Sequence, residues 1–121
     1  LMDTQSIITT KIGVQKIGRQ VSDELPQVKD ATVNLRDRVN DILLDKKHIL
    51  VNYQIAINEA INDDLRNLLI DNRNKIQSTH TIFFNEMFSL GEYQADVATN
   101  PQIRDAFDVF SGYKTQLPYK Q

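Results

Sequence analysis

The chain has no cysteine, only three prolines and four glycines among its 121 residues, and a formal net charge of −2. Without cysteine there is neither a disulfide framework nor a thiolate metal site. A charge so close to balance gives no electrostatic drive toward nucleic acid or an anionic membrane. No apolar run approaches the ~18 residues that a membrane span needs. Polar residues flank Ile7-Ile8 on both sides, so no leader peptide is read there and a soluble, intracellular protein is expected. Phosphate loops, H-E-x-x-H zinc helices and nucleophile elbows are also missing.

The scarcity of helix breakers is the positive signal, because between Ala31 and Leu90 there is no proline and no glycine. Across that stretch apolar residues recur at helical spacing, first as Leu35, Val39, Leu43, Leu50 and Ile57, then as Leu65, Leu69, Ile76, Phe83 and Met87. Asn62-Asp63-Asp64 is the turn between them, and any of the three can cap the second helix. The first helix is expected to start near Asp30 as N-cap and to run for about 30 residues, roughly 45 Å. Gly91 stops the second helix as a C′ glycine.

Val14, Ile17, Val21 and Leu25 keep helical spacing, which predicts an amphipathic helix over residues 5–25, ended by Pro26. Gly13 and Gly18 each cost such a helix about 1 kcal/mol relative to alanine. Glu92–Ala98 is expected as a loop, and Asn100-Pro101 opens a short helix through Phe110 that docks by Ile103, Phe107 and Phe110. The tail from Ser111 is expected to be ragged. One structural domain results: a helix and connection over residues 1–30, a hairpin over 31–98, and a short helix and tail over 99–121.

The hairpin residues Asp37-Arg-Val-Asn-Asp-Ile-Leu-Leu-Asp-Lys-Lys-His-Ile, Tyr53, Ala56, Asn58-Glu-Ala, Leu65-Arg, Phe84-Asn-Glu-Met and Gly91-Glu-Tyr stand in a recognisable order. That ordered set resembles the Coat F family, ferritin-like helical proteins named for a spore coat component of endospore-forming bacteria. The likeness covers about half the chain, roughly Asp37 to Ala98. Glu92 stands where the family usually has tryptophan, and Lys75-Ile76-Gln77 where it often has a glutamate-glutamate-histidine run. The resemblance implies an all-α fold, an antiparallel ferritin-like bundle built on the central hairpin. It also implies a non-enzymatic structural or interaction module, in a spore coat or in the cytoplasm of a spore-forming bacterium. Its partners would be further copies of the chain, as a homodimer or larger, and other coat proteins.

The rival reading is a ferritin-like metal-binding or oxidase protein using the His48/His80 region. Asp45-Lys-Lys-His48 has the carboxylate-x-x-histidine spacing that puts both side chains on one helix face. Gln77-Ser-Thr-His80 keeps the spacing but has an amide in place of the carboxylate. Di-metal bundles need further carboxylates from two more helices. Asp45, His48, Asp71 and His80 are the candidates, and they fall short of that set. No catalytic residue, cofactor or metal is therefore expected. A turn centred on Asn62 sets Asp45 opposite His80 with His48 beside them, a pairing that would raise the histidine pKa. Phe83, Phe84 and Phe88 are read as core, and Glu86 as facing water.

Overall fold

The computed structural model describes residues 4–26, 28 and 30–118. Two long helices form an antiparallel hairpin: α1 (Leu35–Glu59) and α2 (Asp63–Ser89). A small antiparallel sheet, order β1-β2-β3, is built from β1 (Ile7–Thr9), β2 (Gln15–Ile17) and β3 (Ala95–Asp96). The helix α3 (Asn100–Gly112) follows, continued by a 3-10 turn over Tyr113–Gln116. The molecule is thus mostly helical, with a sheet that the helical reading did not foresee.

The hairpin follows from local chemistry at its ends. Asn34, not Asp30, caps α1: its side chain accepts from the Asp37 amide at 2.9 Å, and the Asp37 carboxylate accepts from the Asn34 amide at 3.1 Å. That reciprocal box satisfies two amide donors that no helical carbonyl can reach. Asp30 instead accepts from the amide and hydroxyl of Thr32, a local turn that holds the chain outside the helix. α1 is therefore 25 residues long, about 37 Å, shorter than the periodicity suggested. Asn62 caps α2 as expected, accepting from the Leu65 amide at 2.9 Å. Arg66 ties the turn together, donating to Asp63 and to the Ala60 carbonyl.

At the other end α2 closes in a Schellman arrangement. The Glu92 amide reaches the Met87 carbonyl at 2.9 Å and the Gly91 amide reaches Phe88 at 3.1 Å. Gly91 sits at φ +74, the left-handed region the cap requires. A Cβ there would also overlap the carbonyl of Gln20. The glycine thus serves both the cap and the close passage of the N-terminal arm.

That arm is the main correction to the sequence reading. Residues 5–25 contain no helix: β1 and β2 pair with Ile7 opposite Ile17 and Ile8 opposite Lys16. Thr10 and Val14 bracket the turn by hydrogen bonds, and Gly13 adopts φ +87 within it. Each glycine that burdened a helix is used at a positive φ, Gly18 at +148 with its amide donating to Ser6. The β-branched run Ile7-Ile8-Thr9 favours an extended strand for the same reason it disfavours a helix. β3 then adds to β2 with Lys16 opposite Asp96, inside what was read as a loop.

The core is small and lies at the Gly91 end. Val39, Leu43 and Met87 are buried together, with Phe83 and Phe84 packed against them. Leu25, Ile57 and Phe88 complete the buried apolar side chains among the described residues. α3 corrects a second expectation. Thr99 rather than Asn100 caps it, in a box with Gln102. Of the other helices and strands among the described residues it contacts only its own 3-10 extension, and it does not dock on the hairpin. Ile103, Phe107 and Phe110 stay exposed, Phe107 at 71%. Nor does the chain ravel at Ser111, since the helix runs on to Gly112.

Candidate functional site

The histidine region does not assemble as the register argument expected. Asp45, His48 and Asp71 are exposed, while His80 is half-buried with its Nε2 atom lacking a hydrogen-bond partner. No hydrogen bond or ion pair joins Asp45 to His80 among the described residues, and the charge that His80 feels is that of Lys47. Burial, and then the Lys47 ammonium, hold the imidazole below the usual histidine range, the reverse of the expected direction. Its ring stacks on Phe84, with centroids 6.1 Å apart.

The slip in register has a simple cause. Side chains on both helices lean toward their own N-termini, so antiparallel partners meet about two residues later than backbone level alone would set them. Gln54 accordingly meets Arg73 at 2.9 Å, and Asp45 is exposed, turned away from the hairpin that half-buries His80. Among the described residues no three His, Asp or Glu side chains converge as ligands. The donor set of a ferritin-like metal centre is not formed by these residues.

The sequence reading also missed the clasp at the Gly91 end. Arg36 holds Glu92 through two nitrogens, Nε at 2.7 Å and Nη2 at 2.6 Å, and gives Nη1 to the Pro26 carbonyl at 2.7 Å. The Glu92 hydrogen bond raises the guanidinium pKa above its ordinary value. One side chain of α1 thereby joins the end of α2 to the N-terminal arm. The neighbouring Tyr93 ring turns its edge to Phe84 at 4.5 Å, extending the His80–Phe84 stack. In sequence, nothing marked Arg36 and Glu92 as partners, because 56 positions separate them.

The other feature is a pair of apolar faces on α1. Val39, Leu43 and Ile57 point into the hairpin and are buried. Leu44, Val51 and Ile55, with His48 between them, recur at spacings of four, three and four on the opposite side, and all are exposed. Leu43 is 7% exposed and its neighbour Leu44 is 55% exposed. Along the crevice between the helices, Ile49, Asn52, Tyr53, Ala56 and Leu69 line an open groove of about 240 Å³. A helix apolar on two sides is built for contact with more than its own hairpin partner. The outer stripe was readable at its spacing, yet it lies outside the run of residues that marks the core face.

Fold and surface together define a helical hairpin clasped at one end and apolar along its flanks. The Coat F domain matches residues 34–96, just over half of the 121 residues and the whole of both hairpin helices with the Gly91-Glu92-Tyr93 end. The chain belongs to the Coat F family. No curated protein and no solved structure matches it.

Proposed function

We propose that this chain is a non-enzymatic structural module of the spore coat type, whose hairpin acts by packing on other protein subunits. The Coat F match over the hairpin carries this reading, since that family is a structural spore coat family. The physical support is the imbalance of α1, where Leu44, Val51 and Ile55 are left in water. Two helices cannot enclose a core of this length, and the groove by Ile49, Tyr53, Ala56 and Leu69 is open along one side. A second hairpin laid along that groove completes a four-helix, ferritin-like bundle across subunits. The assembly is a homodimer or larger, in the coat or the cytoplasm of a spore-forming bacterium. No helix of the described residues is long and apolar enough to cross a membrane.

A fluorescent fusion followed through sporulation tests the proposal. The expected outcome is a signal that collects at the developing spore and resists detergent extraction with the coat. An evenly dispersed, fully extractable signal in both sporulating and vegetative cells would overturn it.

A further inference from the structure

The outer stripe of α1 and the bare face of α3 match each other. On α1, Leu44, His48, Val51 and Ile55 follow spacings of four, three and four. On α3 and its extension, Ile103, Phe107, Phe110 and Lys114 follow the same spacings. Both faces are exposed, Ile103 and Phe107 by more than half. Over the α-helical part, Ile103 to Phe110, equal periods let two seams of side chains interdigitate along about 10 Å, at ~1.5 Å per residue, with Lys114 one 3-10 turn beyond.

The charges choose the direction. At about 100° per residue, Asp41, Asp45 and Glu59 fall along one edge of the α1 stripe, and Asn40, Lys47 and Gln54 along the other. On α3, Arg104 and Ser111 lie on the edge of the same hand, while Gln102, Ala106 and Tyr113 lie on the opposite one; Asp105 and Asp108 point away from the seam. Two antiparallel helices meet along edges of the same hand. That orientation sets Arg104 toward Glu59 and Lys114 toward Asp41 and Asp45. A parallel pair would bring Arg104 to the edge that carries Lys47 instead. Two copies of the α1 stripe joined antiparallel would oppose acid to acid, Asp41 against Glu59, which disfavours that pairing.

The chain's own α3 cannot make the antiparallel contact. Ile103 would have to lie beside Ile55, about 30 Å along α1 from Leu35. Yet the sheet sits at the Arg36 end, where Gln20 passes Gly91 and the Gly18 position abuts Tyr93 and Gln94. Val97 is still hydrogen-bonded to Gln15, so only Ala98 and Thr99 separate the sheet from α3. Two extended residues span ~7 Å. A second copy has no such tether.

We propose that α3 of one copy lies antiparallel on the Leu44–Ile55 stripe of another, with Lys114 over Asp45, so that two copies exchange their C-terminal helices. This rests on the reading of the chain as an assembling structural module and adds to it a second joining surface, since the Leu44–Ile55 stripe lies on another side of α1 from the groove by Ile49, Tyr53 and Ala56. Exchange is reciprocal, so one two-fold operation covers both exposed stripes of α1 and both bare faces of α3.

The chain has no native cysteine, so single thiols report the contact without background. Asp45→Cys and Lys114→Cys are prepared separately; both sites are exposed and so tolerate substitution. The two variants are then mixed under mild oxidation while light scattering reads the mass of the wild-type chain. The expected result is a disulfide-linked heterodimer at about twice 13.9 kDa on a non-reducing gel. Asn58→Cys mixed with Lys114→Cys should give none, because Lys114 reaches that level only in a parallel pair. Assembly above the monomer mass without the Asp45–Lys114 link, or with the Asn58 link in its place, would overturn the exchange and leave the assembly reading standing. A mass of 13.9 kDa throughout the micromolar range would remove both.

Discussion

The two ends of the hairpin carry the same apolar periodicity and have opposite fates. At the Gly91 end Val39, Leu43, Met87 and Phe88 are buried, the N-terminal arm crosses over, and Arg36 clasps Glu92. At the Asn62 end Ile57 is the only buried apolar side chain among the described residues, while Ile61 is 94% exposed and Leu65 and Leu68 are about half exposed. Helical spacing alone does not separate the two. What separates them is cover: a segment from far away in the chain reaches one end and not the other. The lesson is that a hydrophobic stripe states a need for a partner without saying whether the partner is in the same chain.

The largest effect should come from breaking the covered end at its hinge. Gly91→Ala places a Cβ against the Gln20 carbonyl and forces a non-glycine residue into φ +74. A loss of about 3 kcal/mol is expected, read as a drop in the urea midpoint. Alanine at Gly112, where a Cβ would meet nothing within 4 Å, should leave the midpoint unchanged or slightly raised.

A sharper comparison uses two adjacent leucines of α1, one buried and one exposed. Leu43→Ala opens the core and should cost about 2–4 kcal/mol. Leu44→Ala should change the stability of the isolated subunit by only about 0.5 kcal/mol. Urea unfolding at low protein concentration compares them directly, and equal losses would show that Leu44 is already covered within the monomer.

The smallest effect concerns pH. His80 has a lowered pKa in the folded chain, so the unfolded state takes up the proton first as the solution is acidified. Stability should therefore be fully present above the unfolded value of about 6.5 and decline as the pH falls from there toward the folded value. His80→Gln should flatten that slope, as measured by urea midpoints between about pH 7.5 and 5. A slope unchanged in the variant would assign the acid sensitivity to other groups.

How much of this was legible in the sequence follows the range of the interactions. The hairpin could be read because its signals are local: an unbroken helical run, Asn62 at the turn and Gly91 at the stop. Helix ends were misjudged where one short polar residue stood in for another, Asn34 for Asp30 and Thr99 for Asn100, since each can cap and only the chain path chooses. The strands were missed because Val14, Ile17, Val21 and Leu25 fit a helical template, while the positive φ values of Gly13 and Gly18 are not visible in a spacing pattern. The Asp45–His80 pairing failed because level along the axis says nothing of direction around it: Asp45 faces outward from the hairpin while His80 is half-buried. The Arg36–Glu92 clasp was beyond any local argument.

The β2–β3 ladder has a consequence for how the chain reaches its native state. Lys16 and Asp96 are partners across 80 positions, so in an unfolded chain their meeting would carry a loop-closure penalty of about 4 kcal/mol or more. A ladder of two residue pairs, with a side-chain contact of 3.6 Å between partly solvated charges, does not offset that alone. Once α1 and α2 have folded back, however, the ends of the intervening segment are already neighbours and most of the penalty is gone. The third strand is therefore a dependent of the hairpin: local helical contacts form early, the long-range ladder closes last, and unfolding reverses the order.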